Sequence, residues 1–429
     1  MTLDARVTKI ADDAPAPRRL PVGAEVLPGD GGVHFRLWAP KRKRVAVVFE
    51  VGPAKRADLK LACGDGGYFS GASAEARPGD RYRFRLDDDA TLYSDPVSRY
   101  QPDGPHGPSE VVDPFAFRWT VDGWPGIPAH GQVLYELHIG TFTPEGTWAA
   151  AAAKLPELKA LGVTCVEVMP ANEFAGRWGW GYDGVDLFAP YHHYGTPDDA
   201  RRFVDAAHAA GLAAILDLVY NHFGPDGNYL RAFSDDYFSH THMTDWGEAI
   251  NFDGPDCHGP REFFLANARH WIEEYRFDGF RFDATQAMID TTASHILQEI
   301  TATARAAAKG RSIYLINENE PQHTRLVRPI DKGGFGMDAL WNDDFHHSAL
   351  VQVSGRNEAY YADYFGRPQE FLSSAKYGYL FQGQRYKWQK KRRGTPGLDL
   401  PPTAYVHFLQ NHDQVANSGR GLRLHQIAG

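Results

Sequence analysis

From residue 133 onward the chain repeats one pattern: a short apolar run, a turn, a helix-period stretch, then another apolar run. Residues 133–139, 163–169, 212–219, 277–283, 313–317, 337–341 and 405–409 read as strands. Residues 148–161, 197–210, 262–275 and 294–308 read as helices between them. Such alternation forces parallel strands joined by right-handed crossovers. The fold class predicted is α/β, a (β/α)8 TIM barrel. Only seven strands are visible and the sequence stops soon after Asp413. The expected barrel is therefore truncated after strand 7 and lacks its last βα unit.

The preceding residues have a different grain. Residues 1–20 are polar and rich in Ala and Pro, and are expected to be disordered. Over residues 21–120, short alternating runs such as Val33-His34-Phe35-Arg36-Leu37 are separated by Gly, Asp and Pro clusters. That spacing predicts an N-terminal immunoglobulin-like β-sandwich. Residues 121–132 form a Pro/Gly-rich linker, and the barrel domain spans 133–429 with an irregular insertion at about 221–260.

Net charge is −9 and no long basic run is present, which argues against nucleic acid and anionic membrane as partners. The short basic cluster over residues 387–393 reads as a solvated loop. Cys63, Cys165 and Cys257 are odd in number and far apart, so neither a disulfide framework nor a zinc motif is expected. No signal-like segment and no apolar run of membrane-spanning length occurs, and a cytoplasmic setting is expected. The histidines lack metal-ligand spacing and no phosphate loop is present, so no metal and no cofactor is expected.

In a parallel barrel the loops at the carboxyl ends of the strands build the active site. Four strands carry an acid at or near that end: Asp217 in the third, Asp283 in the fourth, Glu318 in the fifth and Asp413 in the seventh. One Asp at a strand end is ordinarily a turn former or a helix cap. Four on one rim is a different matter. Arg281 and Asp283 share a strand face by period two, so a cation stands beside one acid and favours its ionised form. A retaining glycosidase needs such a carboxylate nucleophile. It also needs a second carboxyl about 5–5.5 Å away that donates and then accepts a proton. Adjacent strands four and five supply Asp283 and Glu318. Glu320 shares the period-two face of Glu318, but Glu318 sits nearer the end of the apolar run and is preferred.

Four short blocks resemble those of the α-amylase superfamily, and they occur in the family order. They are Asp217-Leu218-Val219-Tyr220-Asn221-His222, Gly279-Phe280-Arg281-Phe282-Asp283, Glu318 after its apolar strand, and Asn411-His412-Asp413. The resemblance implies Asp283 as nucleophile, Glu318 as acid/base and Asp413 as a third carboxylate gripping sugar hydroxyls. It implies that Arg281 holds Asp283, that His222 and His412 bind the same sugar, and that Tyr182 stacks on it next to Asp183. Asp217 would support the rim.

Finer stretches are similar to the malto-oligosyltrehalose trehalohydrolase family: residues 134–147, 178–185, 317–322, 341–347 and 408–414. That likeness implies a retaining hydrolase that cleaves the α-1,4 bond next to a terminal trehalose and releases trehalose. The partner would be malto-oligosyltrehalose or a related α-glucan. Asn342, Asp343, Phe345 and His346 after strand six are the candidates for recognising the trehalose end. The nearest rival reading is a 1,4-α-glucan branching enzyme. A truncated glucan-binding fragment without activity is the alternative from another class.

Overall fold

A computed structural model describes residues 18–29, 31–51, 57–417 and 419–428. Eight antiparallel strands come first: β1 (Gly23–Val26), β2 (Val33–Trp38), β3 (Val45–Val51), β4 (Leu59–Cys63), β5 (Tyr68–Ser73), β6 (Arg81–Leu86), β7 (Leu92–Tyr93) and β8 (Ser109–Glu110). Hydrogen bonds link them in the order β1-β2-β5-β4-β3-β6-β7, with β8 on β6. Phe35 of β2 and Tyr82 of β6 are far apart along that path, yet their rings meet edge to face at 5.0 Å. The sheet therefore folds over on itself and buries Phe35, Val47, Tyr82 and Phe84 between its two halves.

Seven parallel strands follow: β9 (Leu134–Leu137), β10 (Cys165–Val168), β11 (Ala213–Leu218), β12 (Gly279–Phe282), β13 (Tyr314–Asn317), β14 (Ala339–Trp341) and β15 (Tyr405–Val406). They pair in chain order. The crossovers carry α1 (Trp148–Leu161), α2 (Pro197–Ala209), α3 (His258–Glu273) and α4 (Ile296–Ala307). Two further helices, α5 (Asp343–Ser354) and α6 (Pro368–Tyr377), lie between β14 and β15.

Period two along these strands sorts the side chains. Val166, Val168, Leu216, Leu218, Phe280, Phe282, Leu315 and Leu340 join the core under the helices. Cys165, Ile215, Tyr314, Ile316 and Trp341 pack on the inner face. Glu136, Glu167, Asp217, Arg281 and Glu318 share that inner parity. On the inner side, between β9 and β15, a cavity of about 580 Å³ is lined by Glu136, Glu167, Tyr314, Trp341 and Val406. Gly279 is required where β12 meets β13, since a Cβ there would stand 1.9 Å from the Tyr314 carbonyl oxygen.

A buried ion pair ties the loop after β7 to the end of α3. Arg99 donates to Glu274 through Nε and Nη2 at 3.0 and 2.9 Å, with both side chains almost fully buried. Trp38 of β2 meets the Tyr237 ring at 5.2 Å.

Several expectations change. The seventh strand is two residues long, not five, because the chain turns toward the helix at His412–Asn417. The insertion is not irregular throughout: Phe238–Thr244 and Gly247–Ile250 form a hairpin. Of the segment expected to be disordered, residues 1–17 lie outside the described residues. Residues 18–20 are held: Arg18 bonds the His34 carbonyl, Arg19 bonds Glu25, and Leu20 is buried. The basic run is not wholly solvated either, because Arg393 is buried beside Asp343 at 3.4 Å.

Candidate active site

Asp217 of β11 and Arg281 of β12 are register partners on the inner face. Arg281 Nη1 donates to both Asp217 oxygens, at 2.9 and 2.8 Å, and to Asp283 Oδ1 at 2.9 Å. Its Nη2 lies 2.9 Å from Glu318 Oε2. The guanidinium carbon stands 4.1 Å over the Trp341 ring. One buried cation thus gathers three carboxylates from the ends of three adjacent strands. Each would repel the others at this range without it.

Asp283 accepts a second bond, from Asn221 Nδ2 at 3.2 Å. Burial pushes its carboxyl above the ordinary aspartate value, and Arg281 opposes that shift. Arg281 thus favours the ionised form in the expected direction, but burial outweighs it and the net shift is upward, with the Glu318 side chain also opposing the rise. Glu318 is raised, first by burial and then by the Asp283 charge, with Arg281 opposing. The interaction between the two carboxyls acts in opposite directions on them, lowering Asp283 and raising Glu318. Environments that push two carboxyls apart in this way set up a base and an acid.

Ala284 follows Asp283 with φ +38°, a left-handed conformation that costs a side chain energy. In that conformation its N–H donates to Glu318 Oε2 at 3.0 Å. The strained residue therefore ties the end of β12 to the acid of β13.

An aromatic wall faces this centre. The Tyr182 hydroxyl donates to Asp217 Oδ2 at 2.7 Å, and its ring stacks on His412 at 5.0 Å. His412 Nδ1 lies 2.7 Å from Glu136 Oε1 and Nε2 lies 3.6 Å from Asp413 Oδ1. Asp413 is half exposed, and burial raises its carboxyl against the opposing charge of His412. His222 Nε2 is 3.0 Å from the Tyr182 carbonyl, its Nδ1 is buried without a hydrogen-bond partner, and Trp246 stacks on its ring at 5.3 Å.

The family described as "Alpha amylase, catalytic domain" matches residues 112–251. The malto-oligosyltrehalose trehalohydrolase of Saccharolobus solfataricus is 41% identical over 395 residues, covering 92% of this chain and 68% of that protein. The chain belongs to the malto-oligosyltrehalose trehalohydrolase family. A solved structure of an alpha-amylase candidate from Salmonella typhimurium superposes with TM-score 0.88 at 41% identity, covering 96% of this chain and 69% of that one. The 1,4-alpha-glucan branching enzyme GlgB of Bordetella parapertussis is more distant, 31% identical over 77% of this chain and 50% of its own length. The chain spans about two thirds of the length of the curated trehalohydrolases it matches.

Within this trehalohydrolase-family site, Asp283, Glu318, Arg281, Tyr182 and Asp217 form one bonded cluster, and His412 carries it to Asp413. Asp183 is exposed on the rim beside His222. Glu320 is held apart from Arg281, accepting a bond from Gln389 Nε2 at 2.6 Å and lying 3.9 Å from Arg393. Of the four residues expected at the trehalose end, only Asp343 approaches the carboxylates. It is pushed up to about 7 by burial, with Arg393 opposing and Glu318 adding to the rise.

The other three are corrections. Asn342 is fully buried; it caps α5 through the Phe345 N–H and donates to the Ser374 and Gly378 carbonyls, so its amide is used within the protein. His346 has Nδ1 2.6 Å from the Leu409 carbonyl and Nε2 3.3 Å from the Tyr361 hydroxyl, leaving neither nitrogen for a sugar. Phe345 packs edge-on against Phe371 of α6 and His407.

Sequence reasoning passed over Glu136, Glu167, Asn221 and Trp246 as site residues. A signal existed for two of them: Glu136 and Glu167 are single charges inside apolar strands, and they are register partners on the inner face. Among the described residues no group of three or more His, Cys, Asp or Glu side chains is placed to hold a metal ion, and no helix is long and apolar enough to cross a membrane.

Proposed function

We propose that the chain is a retaining glycoside hydrolase that cleaves the α-1,4-glucosidic bond next to the terminal trehalose of malto-oligosyltrehalose. The observation that carries this reading is the gathering of Asp283 and Glu318 on the buried Arg281, with burial raising the Glu318 carboxyl.

The Asp283 carboxylate attacks the anomeric carbon on one side of the scissile bond. The carbon–oxygen bond breaks as Glu318 gives its proton to the departing trehalose oxygen, and a glycosyl ester remains on Asp283. Glu318, now ionised, takes a proton from water, and the hydroxide displaces Asp283 from the anomeric carbon. Two inversions give net retention. Asp413 and His412 bind hydroxyls of the ring that reacts, Tyr182 covers its face, and the unpartnered Nδ1 of His222 accepts a further hydroxyl. Asp343 lies on the Glu318 side, where the leaving trehalose departs.

The seven parallel strands are read as seven of the eight of a (β/α)8 barrel, and the folded-over antiparallel sheet as an accessory sandwich. The three free cysteines fit a reducing, cytoplasmic setting. One incubation tests the reading. Protein mixed with malto-oligosyltrehalose should release trehalose. Formation of α-1,6 branches from amylose instead would favour the branching reaction, and no turnover of either would leave a binding module.

A further inference from the structure

Glu136 reaches His412 twice across 276 positions of sequence. Its Oε2 accepts the His412 main-chain N–H at 2.8 Å, and its Oε1 stands 2.7 Å from Nδ1 of the same ring. His412 immediately precedes Asp413 and opens the helix that carries it. β9 therefore fixes both the backbone and the ring orientation of the residue before the third carboxylate, although it lies on the opposite edge of the parallel sheet from β15.

The geometry points to Glu136 as a positioning residue for His412 and Asp413: it keeps Nδ1 of the His412 ring protonated, so that Nε2 is the atom presented to Asp413 and to a sugar hydroxyl. An ionised carboxylate accepts hydrogen bonds and donates none, so the nitrogen facing it must carry hydrogen. That fixes the tautomer of the neutral ring and favours the imidazolium, in which Nε2 is a donor as well.

Other groups also stand around the ring, and His138 and Arg423 line the same pocket as His412. Asp413 Oδ1 faces Nε2 at 3.6 Å. Trp180 meets the ring edge at 5.4 Å and Trp341 at 6.3 Å. The Tyr182 hydroxyl, 3.5 Å from Nδ1, is already committed to Asp217. Arg281 opposes the imidazolium, while Glu136 and Asp413 favour it. The balance raises His412 above its ordinary value, although burial, the largest influence, works the other way. Glu167, the register partner of Glu136, is pushed well up by burial first and by the Glu136 charge next.

The catalytic consequence rests on the glycosidase reading above, so the test has one readout apart from turnover. Nitrogen-15 NMR of the histidine rings, with His412 assigned by loss of its signals in His412→Asn, reports protonation directly. In the unaltered protein Nδ1 of His412 should carry hydrogen from pH 5 to 8. In Glu136→Gln the ring should titrate about one pH unit lower. kcat on malto-oligosyltrehalose should fall about 10- to 100-fold. Glu136→Asp, whose shorter carboxylate keeps the charge, should recover the His412 titration in part. An Nδ1 without hydrogen in the unaltered protein, or an unchanged His412 titration in folded Glu136→Gln, overturns the inference. Absence of turnover by the unaltered protein would overturn the glycosidase reading and leave the NMR result standing.

Discussion

Arg281 Nη2 lies 2.9 Å from Glu318 Oε2 while Nη1 of the same side chain binds Asp283 and Asp217. A buried guanidinium can hold several carboxylates at once because its donors are fixed in one plane and it keeps its proton. It opposes the burial that would otherwise protonate all three. The finer asymmetry comes from the interaction between Asp283 and Glu318, which lowers the first and raises the second.

Replacing Asp283 by Asn should remove turnover while leaving substrate bound. An amide cannot form the glycosyl ester, and a fall in kcat of at least about 10⁴-fold is expected. Isothermal titration should still detect malto-oligosyltrehalose. Wild-type turnover by this variant would remove Asp283 from the mechanism.

The pH profile should be bell-shaped. Asp283 must be ionised, so activity is lost as pH falls through its value. Glu318 must hold its proton, so activity is lost as pH rises through its raised value. In Glu318→Gln the alkaline limb set by this group should vanish and kcat should fall about 10²- to 10⁴-fold. Persistence of the same limb would assign it elsewhere.

Asp343→Asn should weaken handling of the trehalose side more than of plain glucan. The carboxyl sits between Arg393 and Glu318, and a hydrogen bond to a charged group is worth about 1.5–3 kcal/mol. The expected loss in kcat/KM is about tenfold on malto-oligosyltrehalose and smaller on amylose. Equal losses on both substrates would make Asp343 a general structural residue.

Arg99→Ala should destabilise the protein by up to about 3–5 kcal/mol, because it removes the two-bond partner of the buried Glu274 and leaves that anion only Arg19 and His270. Glu274 is held well below the ordinary glutamate value: Arg99 and His270 overcome the burial that would raise it. A folded-state value below the unfolded one gives stability that is present above the unfolded value. It is lost as pH falls through the folded value. Urea titration at pH 7 and at acid pH should show the variant and the parent converging in acid.

How much of this was legible in the sequence follows from the reach of the signals. The strand-end acids could be read because strand period and an apolar run place a side chain locally: Asp217, Arg281, Asp283 and Glu318 need no distant information beyond strand order. The contact of Glu136 with His412 joins opposite edges of the sheet, and no local pattern encodes it. Asn342 and His346 misled because adjacent helical residues point in different directions. Asn342 turns inward as a cap and His346 turns toward Leu409, leaving Asp343 alone toward the acids. Arg393 was hidden in a basic run, because the hairpin of Arg385–Tyr386 with Lys391–Arg392 buries one member of that run and exposes the rest.

The central claim is that Asp283 and Glu318 act in turn on one anomeric carbon. Proton NMR of the first product formed from malto-oligosyltrehalose reads this directly. The account predicts trehalose together with a maltooligosaccharide in the α-anomeric form, which then mutarotates. First appearance of the β-anomer would mean a single displacement by water and would contradict it.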